Sequence, residues 1–309
     1  MDLYRASAIG GPRCSVLAGR LDEPLAGTSA VASTWLCIEQ PGPWGREALL
    51  ESHLEQVVGR ELAERAKGTG VRIAMIRRPG NHPDRHRPTP HRIYVAHTRP
   101  GRSWLERGRV ADVKELLDLD FAAAGAGEPT GYGEPVTEPL LLVCTNGRRD
   151  VCCALLGRPV AAALFATHGE QAWECSHLGG HRFSPTAVLL PHGYSYGRLD
   201  VLAAERLLAP DAGVLIERCR GRSTWSPAGQ VADLAVRWAI SDRDPDGVRV
   251  AEVRPDGAGR WLVTVSHVDG RRWAVPVVER TSAELRSASC GAKPTPMTVL
   301  DVDGRPELI

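Results

Sequence analysis

The first third of the chain alternates short apolar runs with one long amphipathic stretch. The runs are strand-sized and are separated by turn-forming Gly and Pro residues. They predict strands at residues 33–39, 71–77 and 92–97. Residues 46–67 instead carry Leu, Val and Ala at helical spacing, which predicts an amphipathic helix, and a shorter helix is predicted at 110–119. Together these elements predict a β/α unit, which we assign to residues 1–135.

The next section repeats this rhythm after a Gly-, Pro- and Thr-rich stretch at 125–138, which predicts a linker. Apolar runs predict strands at 140–144, 171–175, 186–190 and 195–198. Helical spacing predicts a helix at 152–167, bent around Gly157 and Pro159, and another at 199–208. The shared β-α-β-β-α order predicts a thioredoxin-like half-fold used twice, with its second copy at 136–222.

The final section begins with a predicted helix at 227–240 and continues as strands. Apolar runs separated by Asp-Gly turns predict strands at 248–254, 260–267 and 272–278. A polar tail containing Cys290 follows these strands. The section predicts a helix plus β-meander extension at 223–309, so the fold class that we expect for the whole chain is α/β.

The balance of charge and the lengths of the apolar runs argue against several classes of protein. The 309 residues include 38 Lys plus Arg against 37 Asp plus Glu, so no general nucleic-acid or membrane-surface binder is indicated. The first residues lack the basic and apolar pattern of a signal peptide, and the apolar runs are too short to span a bilayer. We therefore expect a cytoplasmic protein with neither nucleic acid nor membrane as a partner.

Cysteine and histidine supply the candidate chemistry. Four of the eight cysteines fall between Cys144 and Cys175, and in a reducing compartment such crowding indicates metal or redox chemistry. Eight residues separate Cys144 from Cys153, and three separate His177 from His181. Thiolates hold iron in iron–sulfur clusters, and imidazole can replace thiolate on one iron. The two glycines between the histidines argue against a helix at this point.

These residues resemble the sucrase/ferredoxin-like family. The matching positions are Cys144, the Gly-Arg-Arg-Asp run at 147–150, Cys153, and the His-Leu-Gly-Gly-His run at 177–181. The resemblance implies a thioredoxin-like ferredoxin domain with one 2Fe–2S cluster on Cys144, Cys153, His177 and His181. It also implies proton-coupled one-electron transfer with a redox partner protein or a small-molecule acceptor.

Two further cysteines compete for the place of the second thiolate ligand. The family pattern has one cysteine after the Arg-Asp pair, at the spacing of Cys153, whereas this chain also has Cys152. Cys175 stands two residues before His177 and is a second rival. The spacing favours Cys153.

Three other functions deserve comparison with electron transfer. Two Cys and two His also suit a structural zinc ion, although the first pair is more widely spaced than in zinc fingers. A thiol oxidoreductase could use Cys152, Cys153 or Cys175, although the chain has no Cys-x-x-Cys motif. Sucrose cleavage would need a pair of carboxylates across a sugar pocket, and no such pair is indicated.

The remaining histidines and cysteines suggest structural roles. His82, His86 and His91 lie in or beside a Pro- and Arg-rich segment, which predicts an exposed basic loop. Cys37 falls in an apolar run and is expected to be a small buried hydrophobe. Structural or incidental roles are expected for the scattered cysteines Cys14, Cys219 and Cys290.

Overall fold

The structure is a computed structural model and describes residues 13–80 and 90–309. Its α-helices are α1 (Cys14–Arg20), α2 (Ala48–Glu51), α3 (Gln56–Ala66), α4 (Phe121–Ala126), α5 (Val151–His168), α6 (Val201–Leu208) and α7 (Pro227–Ile240). The first strands are β1 (Thr34–Glu39), β2 (Val71–Arg77), β3 (His91–His97), β4 (Trp104–Val110) and β5 (Gly133–Pro135). The middle strands are β6 (Leu140–Cys144), β7 (Ala172–Cys175), β8 (Ala187–Leu190), β9 (Tyr194–Tyr196) and β10 (Cys219–Arg222). The last strands are β11 (Val248–Pro255), β12 (Arg260–His267), β13 (Arg272–Arg286), β14 (Thr295–Val302) and β15 (Glu307–Leu308).

Ten of the described strands form one mixed sheet in the order β10-β9-β8-β6-β7-β2-β1-β3-β4-β5. β1 pairs in parallel with β2, and β6 pairs in parallel with β7. In each half, two further antiparallel strands follow outward, β3 and β4 on one side and β8 and β9 on the other. The halves meet where β2 pairs antiparallel with β7. This repeated arrangement makes the protein α/β, as the sequence predicts, and is compatible with a thioredoxin-like fold.

Alternating side chains of β6 divide between two apolar clusters. Leu141 and Val143 pack with residues of α5 and α6. Leu142 and Cys144 join a cluster on the other face of the sheet that also contains Trp35. Both faces of this central strand are therefore buried, which explains its uninterrupted apolar sequence.

The C-terminal residues form a separate antiparallel sheet against α7. Its strands follow the order β11-β12-β13-β14, and β15 pairs with β13. Ala228, Val231, Ala232 and Val236 of α7 pack on valines and Trp273 of this sheet. The predicted helix plus β-meander is present, but the expected polar tail continues as strands, because β13 extends to Arg286 and then pairs with β14.

Several boundaries differ from the predictions in the first half of the chain. The helix predicted at 46–67 is two helices, α2 and α3, which approach so closely that a Cβ on Gly59 would lie 2.0 Å from the Leu49 carbonyl oxygen. The predicted helix at 110–119 is instead the end of β4 followed by a 3₁₀ turn at Val113–Asp118, capped by Asp112. Short or mixed-polarity strands, β4, β5 and β10, escaped prediction because they lack a long apolar run.

The structure differs from two predictions that rest on glycine and proline, the linker at 125–138 and the bend at Gly157 and Pro159. The stretch at 125–138 contains the end of α4 and the strand β5. α5 runs unbroken through Pro159. Gly157 lets α5 lie against the end of β6, since a Cβ there would lie 2.3 Å from the Cys144 carbonyl oxygen. Gly157 is thus required for the packing of α5 against β6 and does not interrupt the helix.

The predicted basic loop falls mostly outside the described residues. His82 and His86 lie in the segment that the structure does not describe. His91 is the first residue of β3, and its Nδ1 lies 2.7 Å from the Glu39 carbonyl oxygen.

One stretch of the described chain, Val151–Gln171, is long and apolar enough to cross a membrane by length and composition alone. It includes α5, which here packs against β6, β7 and α6. Such packing is the ordinary position of an apolar helix in an α/β layer.

Candidate functional site

The candidate site lies where two parallel strands end and a helix begins. β6 ends at Cys144 and β7 ends at Cys175, and these two residues are in register. The carboxyl edge of parallel strands is where α/β folds place ligands. α5 starts beside this edge, and Asp150 caps it by accepting a 2.9 Å hydrogen bond from the Cys152 backbone N–H. Thiolates near a helix N-terminus are favoured by the helix dipole.

The adjacent cysteines of α5 point to different groups of side chains. Successive residues of a helix are rotated by about 100° around its axis. Cys153 faces Cys144 and His177, and the ligand atoms of these three residues lie within 4.8 Å of one another. Cys152 instead faces Cys14 and Cys290.

The two histidines come from the loop that follows β7. The loop turns sharply because Gly179 and Gly180 adopt φ angles of +85° and +66°, in the left-handed region that favours glycine. The imidazole rings of His177 and His181 lie with their centroids 5.3 Å apart and their planes tilted by 36°. The glycines therefore bring the two rings together without a helix between them, and His177 joins the cysteines within 4.8 Å whereas His181 lies outside that group, beside His177.

Mutual hydrogen bonding polarises the buried thiols. The hydrogen bond with Cys153, together with a smaller contribution from His177, holds the pKa of Cys144 well below its usual value. The same contact with Cys144, aided by burial, raises the pKa of Cys153. Burial lowers the pKa of His181, which favours a neutral imidazole. A thiolate beside a neutral imidazole is the protonation state that a metal or cluster requires of such ligands.

Several nitrogens of the histidine pair are buried without a partner. Nδ1 of His177 and both ring nitrogens of His181 make no hydrogen bond to a protein group. The nearest carboxylate oxygen to His181 is Oδ2 of Asp150, 3.8 Å from Nε2. Unpartnered buried polar atoms are rare in folded proteins and call for a bound group.

Buried positive charge surrounds this group of ligands. Arg220 is 1% exposed, and its Nη1 donates a 3.1 Å hydrogen bond to the carbonyl oxygen of Gly179. Burial lowers its pKa to about 10, so the guanidinium is still charged at neutral pH. Arg72, half-buried in β2, donates to the carbonyl oxygen of His177 at 3.3 Å. Both cations are placed to offset negative charge that accumulates on the cysteines.

Of the two rivals predicted from sequence, neither contributes to this group. Cys152 faces away, as described above, and Cys175 is not among the clustered ligand atoms of the described residues. Cys175 is fully buried in the apolar cluster with Cys37 and Trp173. Burial raises its pKa well above the usual value, so it is expected to remain a thiol.

A second group of cysteines lies on the other side of Asp150. It consists of Cys14, Asp150, Cys152 and Cys290, whose ligand atoms lie within 4.8 Å of one another. Cys14 opens α1, and Cys290 lies between β13 and β14. Sequence reasoning missed this group, since its cysteines are separated by 138 residues each way and carry no local motif.

Comparison with known proteins gives a family match. The sucrase/ferredoxin-like family matches residues 25–221, which is more than half of the chain. No curated protein and no solved structure matches significantly. The matched range contains Cys144, Cys153, His177 and His181, and it excludes Cys14 and Cys290. The chain therefore belongs to the sucrase/ferredoxin-like family.

Proposed function

We propose that this protein transfers single electrons through a 2Fe–2S cluster held by Cys144, Cys153, His177 and His181. The observation that carries the proposal is the grouping of two buried thiols with the imidazole of His177, beside which lies His181 with its unpartnered ring nitrogens. Such a set matches the ligands of mixed cysteine and histidine clusters. The family name and the reducing environment expected of eight free cysteines agree with a cytoplasmic redox protein.

The two thiols and two imidazoles fit an iron–sulfur cluster better than they fit an ordinary apolar core. Cys144 and Cys153 are 1% and 0% exposed, yet their sulfurs face an imidazole as well as each other. His177 and His181 carry buried ring nitrogens without a hydrogen-bond partner, and such burial costs free energy that a bound group would offset. When bound, the cluster supplies a one-electron couple whose potential is raised by imidazole ligation.

The exposure of the ligand side chains indicates the side from which an electron would reach the proposed cluster. The sulfur ligands are buried, whereas the side chain of His181 is 16% exposed. The histidine side is therefore the face at which a redox partner protein or a small-molecule acceptor would approach. Each imidazole can also hold a proton on the ring nitrogen that does not bind metal, which couples proton uptake to electron uptake.

Visible absorption and electron paramagnetic resonance of the anaerobically purified protein test this proposal. We expect a coloured protein with about two iron atoms per chain, as a 2Fe–2S cluster requires. Cys153→Ser and His177→Ala should abolish or shift the spectrum. Cys152→Ser and Cys175→Ser, which change neighbouring buried cysteines, should leave it almost intact.

The same experiment separates the competing functions. A colourless protein with zinc that is lost in Cys144→Ser would replace the redox proposal with a structural zinc site at these ligands. A colourless protein without metal, in which Cys152 or Cys153 reacts reversibly with oxidants, would favour a thiol oxidoreductase. Loss of the spectrum in Cys152→Ser but not in Cys153→Ser would show that the second thiolate is misassigned.

A further inference from the structure

The three cysteines beside Asp150 are arranged around a common centre. The Sγ atoms of Cys152 and Cys290 lie 3.4 Å apart. Cys14 Sγ lies 3.8 Å from Cys152 Sγ and 3.6 Å from Cys290 Sγ. Three sulfurs at nearly equal separations form a small triangle, whereas a pair of cysteines poised for a disulfide would leave the third apart.

The carboxylate completes the arrangement. Cys14 Sγ lies 3.7 Å from Oδ1 and 3.6 Å from Oδ2 of Asp150. Those oxygens also accept backbone hydrogen bonds, Oδ1 from Cys152 at 2.9 Å and Oδ2 from Cys290 at 2.8 Å. A carboxylate has about four lone-pair positions, so these bonds orient it and leave lone pairs for a further interaction.

These distances agree with tetrahedral zinc coordination. Zinc–sulfur bonds of about 2.3 Å at tetrahedral angles put neighbouring sulfurs about 3.8 Å apart. A carboxylate oxygen at about 2.0 Å from the same ion lies about 3.5 Å from each sulfur. The three sulfur separations, 3.4–3.8 Å, and the distances from Cys14 Sγ to the carboxylate oxygens fall close to these values, and the remaining ligand atoms lie within 4.8 Å of one another.

The surroundings also resemble those of a bound metal. Cys14 and Cys152 are 1% and 0% exposed, while Cys290 is half-buried and leaves an approach to the group. Ser15 donates a hydrogen bond from Oγ to Cys152 Sγ at 3.2 Å. Hydrogen bonds of this kind fix ligand orientation around metal ions.

We propose that Cys14, Cys152, Cys290 and Asp150 bind a structural zinc ion, separate from the redox centre. The ion joins the first helix of the described chain and the β13–β14 connection to the N-terminus of α5. Cys14 and Cys290 lie outside the residues matched by the family, so the family match by itself does not assign this site. Asp150 Oδ2 also lies 3.8 Å from His181 Nε2, so the two proposed sites are neighbours.

Metal analysis of the full-length protein, purified with and without zinc in the growth medium, tests the proposal. We expect about one zinc per chain after dialysis, as one tetrahedral site requires. Cys14→Ser and Cys290→Ser should lose at least nine-tenths of the zinc but keep the iron and the visible spectrum. Cys37→Ser and Cys219→Ser change buried cysteines outside both groups and should keep the zinc.

X-ray absorption at the zinc edge of the wild-type protein supplies a test that needs no variant to fold. We expect three sulfurs at about 2.3 Å, one oxygen at about 2.0 Å, and no imidazole scattering. Imidazole scattering with two sulfurs would put the zinc on Cys144, Cys153 and the histidines, which would overturn this proposal and the redox proposal together.

The remaining outcomes also decide between the two proposals. Wild-type protein with iron but no zinc overturns the zinc site alone. Zinc that depends on Cys14 in a protein without iron supports the zinc site and overturns the redox centre alone. A Cys152–Cys290 disulfide, detected by mass spectrometry after thiols are trapped at lysis, would also overturn the zinc site.

Discussion

Removing the positive charge of Arg220 should lower the reduction potential of the proposed cluster. The guanidinium is 1% exposed and is held by the carbonyl of Gly179, inside the loop between the two histidines. An added electron makes the site more negative, and a buried cation stabilises that state. Arg220→Met keeps a long side chain in this position but removes the charge.

The spacing of residues along the chain gives a distance from which the shift in reduction potential can be estimated. Gly179 is two residues from each histidine, so its Cα lies at most about 7.6 Å from theirs. At a separation of about 8 Å and an effective dielectric constant of about 20, a unit charge contributes about 2 kcal/mol. For a one-electron couple this corresponds to about 90 mV. Arg220→Met should therefore shift the potential downward by tens of millivolts, and Arg220→Lys should restore much of the loss.

A dye-mediated redox titration, followed by visible absorption, measures the shift. Arg222→Met is the matched control, since Arg222 is equally buried on the same strand but bonds to Thr98, Pro245 and Asp246. It should move the potential by less than about 20 mV, because its charge is already paired with a carboxylate. An equal shift in both variants, or none in Arg220→Met, would refute the electrostatic reasoning.

Three further substitutions address the histidine loop and the N-terminal segment. Gly180→Ala should lower the melting temperature and perturb the visible spectrum, because the new Cβ would lie 2.3 Å from the Arg220 guanidinium. Gly179→Ala has a similar positive φ but meets no atom within 4 Å, so its effect should be confined to backbone strain of about 1 kcal/mol. Glu23→Gln should destabilise folding by about 3 kcal/mol, measured by denaturant titration, because it leaves the buried Arg286 and the partly buried Arg182 without their carboxylate partner. A change below about 1 kcal/mol would show that these arginines are stabilised otherwise.

Local pattern was sufficient for the elements with strong periodicity. The apolar run at 140–144 is the central strand β6 because both its faces are buried, and α7 follows helical spacing from its proline at the first position. The pattern failed where tertiary packing decides. The amphipathic stretch at 46–67 divides into two helices, and β4 was missed because polar residues interrupt its apolar positions.

The candidate ligands also divide into those that local sequence predicts and those that only tertiary packing brings together. Cys144, the histidine pair and the glycines between them form local motifs, so spacing and resemblance could select them. Cys152 and Cys153 are neighbours in sequence, and although the family spacing favours Cys153, spacing alone does not show which of them faces Cys144. The rotation of the helix decides it, because Asp150 caps α5 at a fixed point beside the sheet.

The sequence by itself therefore determined the fold class, the repeated β/α rhythm and the segment that carries the proposed cluster, since each depends on residues close together in the chain. Only the tertiary structure decided that Cys14 and Cys290 meet Cys152, and that Arg220 lies against the histidine loop. These contacts join residues far apart in sequence. Their positions follow from how sheets and helices pack, and local spacing carries no record of that packing.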